Sequence, residues 1–322
     1  MKTGPHITIA VVLVTAGCCA PAAAQNYPAK PLRIIVPTSP GGIIDIIART
    51  VGQKLTEVNG QIAVIENRAG ASNNIGTEFV ARAPADGYTL LAATLPLVVN
   101  PALFEKLPFN VERDFAPVSL VVSAPYVLVA HPSLPAKTVK ELIALAKSKP
   151  RQINYASAST GGMPHLAGEL FNMMADVKLT HIPYKGAAPA TVDLVAGQVS
   201  LMFNNMLSAM PHVKGGKLRA VAVTSAKRSA AVPELPTIAE TIKGFEASGW
   251  YAVLAPAATP KDLIAKLNTE INWRMKDADV MQRFAGDGVE AVNMTPAEFG
   301  SYLHNEIVKW GKVVKISGAT VD

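Results

Sequence analysis

The residues best suited to chemistry lie in two turns rich in small and hydroxyl residues, Thr38 to Gly42 and Ser157 to Gly162. Each turn follows an apolar run that predicts a strand and precedes a run with helical spacing. Glycine permits close approach of a ligand, and the first amide groups of a helix are unpaired at the positive end of its dipole. Each turn therefore predicts a carboxylate-binding site, although a plain tight connection in an α/β domain has the same pattern.

A third junction, Pro183 to Pro189, adds a phenol and a loop rich in amide groups. The polar and small residues that we include in the candidate ligand site at the three junctions are Ser39, Asp45, Ser157, His165, Tyr184 and Gly186. Asp45 also has a purely structural interpretation, because it lies in the first helical turn and can pair with Arg49 four residues later.

The common catalytic and cofactor-binding motifs are absent from the sequence. No G-x-G-x-x-G follows a predicted strand, no Walker A, H-E-x-x-H or G-x-S-x-G motif occurs, and the six histidines lack the spacing of metal ligands. We therefore expect no metal, no cofactor and no catalytic residue. One enzymatic alternative stays open, a secreted two-domain hydrolase in which Ser159 or Thr160 is the nucleophile and His165 the general base.

Length and composition indicate a packed protein of two domains. The chain has 322 residues, of which 49% are hydrophobic and 17% charged. Its formal net charge is +6, but the basic residues are spread along the chain, which argues against a nucleic-acid-binding surface. A diffuse positive field favours small anions as partners. We expect a monomer.

The first 24 residues have the pattern of an export signal. Lys2 is followed by an apolar stretch, Ile7 to Ala16, and by the cleavage pattern Ala22 to Ala24. We predict a signal peptide at residues 1–24 and a periplasmic mature protein without cysteine. The alternative is a lipid anchor at Cys18, although the residues before it lack the usual large aliphatic side chain.

Predicted strands and helices alternate after the signal, which indicates an α/β fold of largely parallel sheets with flanking helices. A second set of units begins after two apolar runs near residues 118–130, where we place a crossover between domains. The last third is helical, with strong helix starts at Thr259 and Thr295.

Several segments, taken in order, resemble the Bug-type extracytoplasmic solute receptors of tripartite tricarboxylate transporters. The resemblance runs from about Tyr27 to Ile316. The segments that carry it are Pro40 to Arg49, Glu66 to Gly76, Pro84 to Leu91, Gly161 to Phe171, His181 to Gln198, Pro233 to Thr237 and Gly249 to Pro256.

The resemblance implies a two-lobed, type II periplasmic-binding-protein fold of the Venus flytrap kind, each lobe having a mainly parallel sheet. One lobe would comprise residues 26–124 and 249–322, and the other residues 125–248. The implied function is capture of a small carboxylate between the lobes and its delivery to the permease subunits of the transporter. Matching the family pattern by position adds to the candidate site Gly41, Gly42, Ile43, Thr94, Ser159, Thr160, Gly161, Met163 and Asn204.

The sequence departs from the family pattern where apolar residues replace small or polar ones. Ile43, Ile44 and Met163 are the examples. If these side chains face the cleft, the ligand would have an apolar or aromatic body behind its carboxylate. The alternative is that Ile44 faces the protein core.

Overall fold

The computed structural model describes residues 27–284 and 288–319. The predicted signal peptide and Cys18 lie outside these residues. The strands of the described part are β1 Leu32–Val36, β2 Ala63–Asn67, β3 Thr89–Ala93, β4 Phe115–Ala124, β5 Tyr126–Ala130, β6 Asn154–Ser157, β7 Thr180–Pro183, β8 Leu201–Asn205, β9 Arg219–Val223, β10 Gly249–Pro256 and β11 Glu290–Ala291.

The α-helices of the same part are α1 Ile43–Asn59, α2 Asn74–Ala81, α3 Pro96–Leu103, α4 Val111–Asp114, α5 Val139–Ser148, α6 Met163–Ala175, α7 Ala187–Val195, α8 Met206–Lys214, α9 Lys261–Arg274, α10 Ala278–Phe284 and α11 Pro296–Ser317. Short 3₁₀ turns lie at Ala71–Asn73 and Ile238–Glu240. Within the described ranges, no helix is both long and apolar enough to cross a bilayer.

Two separate sheets organise the described residues into two lobes. The sheet of the first lobe has the order β11-β4-β10-β3-β1-β2, and that of the second has the order β7-β6-β8-β5-β9. In each sheet three neighbouring strands are parallel, and β1 and β6 are the middle strands of these groups. Helix α1 follows β1, and helix α6 follows β6.

Both sheets are mixed, so the prediction of mainly parallel sheets is wrong. Four of the nine strand pairings among the described residues are parallel, and five are antiparallel. The parallel pairs involve strands linked through helices within one lobe. The strands next to the crossovers, β4, β5 and β10, pair antiparallel because they enter each sheet from the opposite side.

The two crossovers lie side by side. Strand β4 of the first sheet continues into β5 of the second with only Pro125 between them. The returning strand β10 begins at Gly249, which pairs with Ala124. Tyr126, the first residue of β5, is bonded through its carbonyl to the amide of Thr224 at 2.9 Å. The connection between lobes is therefore a narrow pair of adjacent strands.

The C-terminal helix α11 braces this connection. It packs against α3 and β4 of the first lobe and against α6 of the second. Its buried Glu306 accepts hydrogen bonds from the indole nitrogens of Trp250, at 3.0 Å, and Trp310, at 2.7 Å, and pairs with Lys309. Trp250 is fully buried and packs in the core beside this helix.

Candidate functional site

The first glycine turn, Thr38 to Gly42, joins β1 to α1. Gly41 has a positive φ of 90°, a conformation that side chains other than glycine rarely adopt. Gly42 caps the helix with extended backbone angles (φ −75°, ψ 164°) and no side-chain hydrogen bond at the cap. The first amides of α1 thus begin beside exposed glycines without a capping side chain.

The Asp45 side chain fixes this turn through hydrogen bonds. The carboxylate is buried, with 3% of its surface exposed, and accepts the Gly41 amide at 2.9 Å. It also accepts two hydrogen bonds from Arg49, both at 3.0 Å, and one from Asn67 at 2.9 Å. Burial opposes ionisation, but the hydrogen bonds from Arg49, Gly41 and Asn67 outweigh it and lower the pKa of Asp45 to about 2.

The second glycine turn, Ser157 to Gly162, repeats this geometry between β6 and α6. Gly161 has a φ of 77°, and Gly162 caps α6 with angles of −75° and 163°, again without a side-chain bond. The Gly161 amide donates to Nδ1 of His165 at 3.0 Å. His165 therefore occupies the position that Asp45 has in the first turn, four residues after the bonded glycine.

The loop that follows the next strand of each lobe, β2 or β7, is also similar in the two lobes. The amide of Arg68, after β2, donates to the end of β1 at Val36, and the amide of Tyr184, after β7, donates to the end of β6 at Ser157. Two residues later, Gly70 and Gly186 have similar positive φ angles, 130° and 117°. The lobes thus share one structural unit, which no sequence repeat reveals.

A buried polar layer lies under the second turn. The rings of His165 and His181 stack with centroids 3.9 Å apart. The Ser157 hydroxyl donates to the carbonyl of Ser159 at 2.9 Å and lies 2.6 Å from Nε2 of His181. Burial, and secondarily the neighbouring His165, lowers the pKa of His181 to about 4.

This arrangement does not support the hydrolase alternative. A general base must have a free ring nitrogen close to its nucleophile. Nδ1 of His165 instead accepts the Gly161 amide. Ser157, which contacts His181 in this layer, is fully buried. Within the described ranges, no group of three carboxylate, imidazole or thiol side chains is placed to hold a metal ion.

Two cavities in the described part of the chain are lined by candidate-site residues. The larger has a volume of about 460 Å³ and lies between the lobes. Ile43 and Ile46 of α1 form one wall, and Leu207 at the start of α8 lies on the second-lobe side. Phe284 and Arg283, at the end of α10, close the rim. The lining is mostly apolar, with one guanidinium group.

The smaller cavity, of about 290 Å³, lies at the second glycine turn. Thr160, Gly161 and Met163 face α3 of the first lobe, where Leu103 contributes an apolar wall. Tyr126, from the crossover, lines both cavities. Burial raises the pKa of its phenol to about 12.

Other candidate residues lie on the turns and line neither cavity. Ser39, Gly41, Gly42 and Ser159 are exposed on the two turns, and Gly186 lies at the third junction, bonded through its amide to Ala158. Ile44 is 5% exposed and packs in the core of the first lobe, as the structural alternative predicted.

Eleven of the fifteen candidate residues line neither cavity, among them Asn204, Tyr184 and Thr94. The buried Asn204 donates to Thr191 at 3.2 Å beneath α7. The Tyr184 hydroxyl donates to Asp193 at 2.7 Å. Thr94 precedes α3, and its carbonyl accepts the Leu97 amide. Ligand contact by any of the candidate residues stays a prediction.

Sequence reasoning missed several lining residues, including Tyr126, Leu207 and Leu103. Helices α3 and α8 contain internal prolines, Pro101 and Pro211, which mask the helical pattern. The apolar run at Tyr126 was a usable signal, because a tyrosine at a crossover between lobes lies next to the cleft.

The sequence matches a known protein family. Residues 47–319 match the model described as the tripartite tricarboxylate transporter family receptor, TctC. The chain belongs to this family. It is 40% identical over 314 residues to BugT of Bordetella pertussis, an alignment that covers 97% of this chain and 96% of BugT.

Solved structures of ligand-bound relatives have the same fold. R. palustris Rpa4515 with adipate is 35% identical, with a TM-score of 0.72 over 92% of this chain and 100% of that one. MatC from Rhodopseudomonas palustris with bound malate is 31% identical, with a TM-score of 0.68 over 89% of this chain and 100% of that one. The predicted family and the two-lobed α/β fold are confirmed. This TctC-family chain is a periplasmic solute-binding receptor.

Proposed function

We propose that this receptor binds a small carboxylate in the cleft between its lobes. The carboxylate is held by main-chain amides of the first glycine turn, at Gly42 and Ile43, and of the second, at Thr160, Gly162 and Met163. The amides of Gly41 and Gly161 are not free for the ligand, because they donate to Asp45 and His165. The two turns have the same geometry, and each places glycines and helix-starting amides at the carboxyl end of a strand. An anion between them is stabilised by both helix dipoles.

The main support for this proposal is the open space around the Cα atom of Gly42. Its backbone angles are ordinary for any residue, and a Cβ atom built there meets no atom within 4 Å. Neither strain nor packing in the protein therefore requires glycine at this position. A ligand that approaches the main chain closely does require it.

The relatives support a carboxylate as the ligand class. Adipate and malate, the molecules bound to Rpa4515 and MatC, both carry carboxylate groups. A receptor that uses main-chain amides for a carboxylate can accept different bodies behind it. The cavities then decide which body fits.

We also propose that the ligand has an apolar body. The larger cavity has room for one, and Ile43, Ile46 and Leu207 present aliphatic walls to it. Arg283 at the rim offers a cation to a second anionic group.

The cellular part of the proposal follows from the family. Export with removal of residues 1–24 places the mature receptor in the periplasm, where it passes its ligand to the permease subunits of a tripartite transporter without turnover. The division of strands between the sheets supports a first lobe of residues 26–124 and 249–322 and a second lobe of residues 125–248.

The test is native mass spectrometry of the purified receptor, followed by thermal unfolding with a panel of carboxylates. We expect a co-purifying carboxylate that is recovered chemically unchanged. A ligand at a hundredfold excess over Kd adds about 2.7 kcal/mol to the free energy of unfolding. Conversion of the recovered ligand into a product would indicate an enzyme instead.

The apolar body is tested with Leu207→Ser. Leu207 is 62% exposed, so the substitution leaves stability within about 0.5 kcal/mol. We expect weaker binding of carboxylates with aliphatic or aromatic bodies and little change for a short hydroxy acid such as malate. Equal losses for both kinds of ligand would contradict an apolar contact at this position.

A further inference from the structure

The hydrogen bond under the second glycine turn exists in only one protonation state of His165. The Gly161 amide donates to Nδ1, so this nitrogen carries a lone pair and the ring proton is on Nε2. A second proton would have to be added at Nδ1. Two N–H donors would then face each other, and the bond that fixes Gly161 would be lost.

The partner histidine is arranged differently. The Ser157 hydroxyl uses its proton on the Ser159 carbonyl, so Nε2 of His181 is the donor in its contact with Ser157. This bond survives when His181 is protonated. Among the histidines of the stacked pair, only His165 has a bond to the turn that a proton breaks.

The surroundings of His165 keep it neutral at neutral pH. Among the described residues, the titratable groups that face it are His181 of β7, Tyr155 of β6 and Glu169 of α6. The side chain is 4% exposed, and burial lowers the pKa of the imidazole, while the Glu169 carboxylate opposes this effect. The stacked His181 ring makes a second positive charge in this layer unfavourable.

The first glycine turn has no such sensitivity. Asp45 performs the same task with a carboxylate whose pKa is about 2. It remains ionised throughout the range in which an imidazole takes up a proton. The two halves of the anion site therefore respond differently to acid.

We propose that His165 is a positioning residue that fixes the second glycine turn for ligand binding, and that its protonation releases this turn and weakens binding of the carboxylate in mild acid. This inference rests on the proposed function, because it concerns the same anion site. His165 acts through Gly161 and does not itself need to contact the ligand. The receptor would thus bind its ligand at neutral pH and bind it less tightly as the pH falls.

The experiment measures adipate affinity by calorimetry from about pH 7.5 to about pH 4 in the wild-type protein and two variants, because burial lowers the pKa of His165. His165→Asn keeps an acceptor near the position of Nδ1 that cannot be protonated in this range. His165→Phe keeps a ring that can stack on His181 but has no acceptor. The matched control is His304→Asn, a change at an exposed histidine of α11 that pairs with Glu112. Adipate ionises in the same way in every titration. Differences in pH dependence between the variants therefore reflect ionisation of the protein.

Across the pH range in which His165 takes up a proton, we expect the affinity of the wild type and of His304→Asn to fall by about tenfold more than that of His165→Asn, since one buried hydrogen bond is lost. At neutral pH, His165→Phe should bind about tenfold more weakly than the wild type, and His165→Asn should recover part of this loss. Parallel pH profiles for the wild type and His165→Asn would overturn the inference.

Nuclear magnetic resonance of the ligand-free protein separates this inference from the proposed function. We expect the Gly161 amide shift to change with the same pH midpoint as the His165 ring nitrogens, whether or not adipate binds. A Gly161 amide that is unaffected while His165 titrates would refute the positioning role. Absence of adipate binding at every pH would count against the proposed ligand class while leaving the coupling of Gly161 to His165 to be decided by this measurement.

Discussion

Substitution of Gly42 separates ligand binding from folding. The residue caps α1 with φ −75° and ψ 164°, which serine and valine also adopt without strain. A new Cβ atom meets nothing within 4 Å. It projects instead into the space that the proposed carboxylate occupies above the first turn.

The two substitutions should change stability in opposite directions, whereas both should weaken ligand binding. Serine is a better N-cap than glycine, so Gly42→Ser should raise the free energy of unfolding by a few tenths, about 0.3 kcal/mol. Valine is a poor cap and should lower it by about 1 kcal/mol. Both side chains obstruct a charge-assisted hydrogen bond worth about 1.5–3 kcal/mol, which corresponds to about a 10- to 150-fold increase in Kd.

Urea unfolding and calorimetry with the co-purified carboxylate measure the two quantities. Gly311→Ser in α11 is the matched control, because a Cβ atom there also meets nothing within 4 Å and the site is on the C-terminal helix. The control should keep the wild-type affinity. An unchanged Kd in both Gly42 variants would refute the assignment of the first glycine turn to the ligand.

Three further predictions concern stability, each measured by chemical denaturation. Because the pKa of Asp45 is lowered to about 2, the carboxylate contributes at most about 2.6 kcal/mol to the free energy of unfolding. This contribution is complete above its ordinary pKa of about 3.9 and is lost as the pH falls through 2, and Asp45→Asn should remove this acid dependence. Glu306→Leu should cost about 3–5 kcal/mol, since it leaves Lys309 and two buried indole N–H groups without their acceptor, and Glu306→Gln should cost less. Gly168→Ala should destabilise by about 1–3 kcal/mol despite the helix preference of alanine, because the new methyl group would lie 2.3 Å from the Tyr155 ring. A wild-type acid profile in Asp45→Asn, a stable Glu306→Leu protein or an unchanged Gly168→Ala protein would contradict the respective contact.

The fold class could be predicted from clear local patterns in the sequence. Apolar runs, glycine turns and capped helix starts marked β1 with α1, and β6 with α6, and the observed elements lie close to these positions. Strand direction had no such signal. A buried strand reads as the same apolar run whether its neighbour is parallel or antiparallel, so the mixed character of both sheets required the structure.

The candidate site was only partly accessible to sequence reasoning. The glycine turns were visible because Gly-Gly pairs precede helical patterns. The roles of Asp45 and His165 beneath the turns depend on hydrogen bonds to amides four residues earlier, which residue types alone do not specify. The walls contributed by α3 were hidden because Pro101 interrupts its pattern.

The most direct test of the central claim is a crystal structure of the receptor with its co-purified carboxylate. The account predicts carboxylate oxygens about 2.7–3.2 Å from main-chain amides of both the first turn, at Gly42 or Ile43, and the second, at Thr160, Gly162 or Met163. A carboxylate held by side chains alone, or by the amides of one turn only, would contradict it.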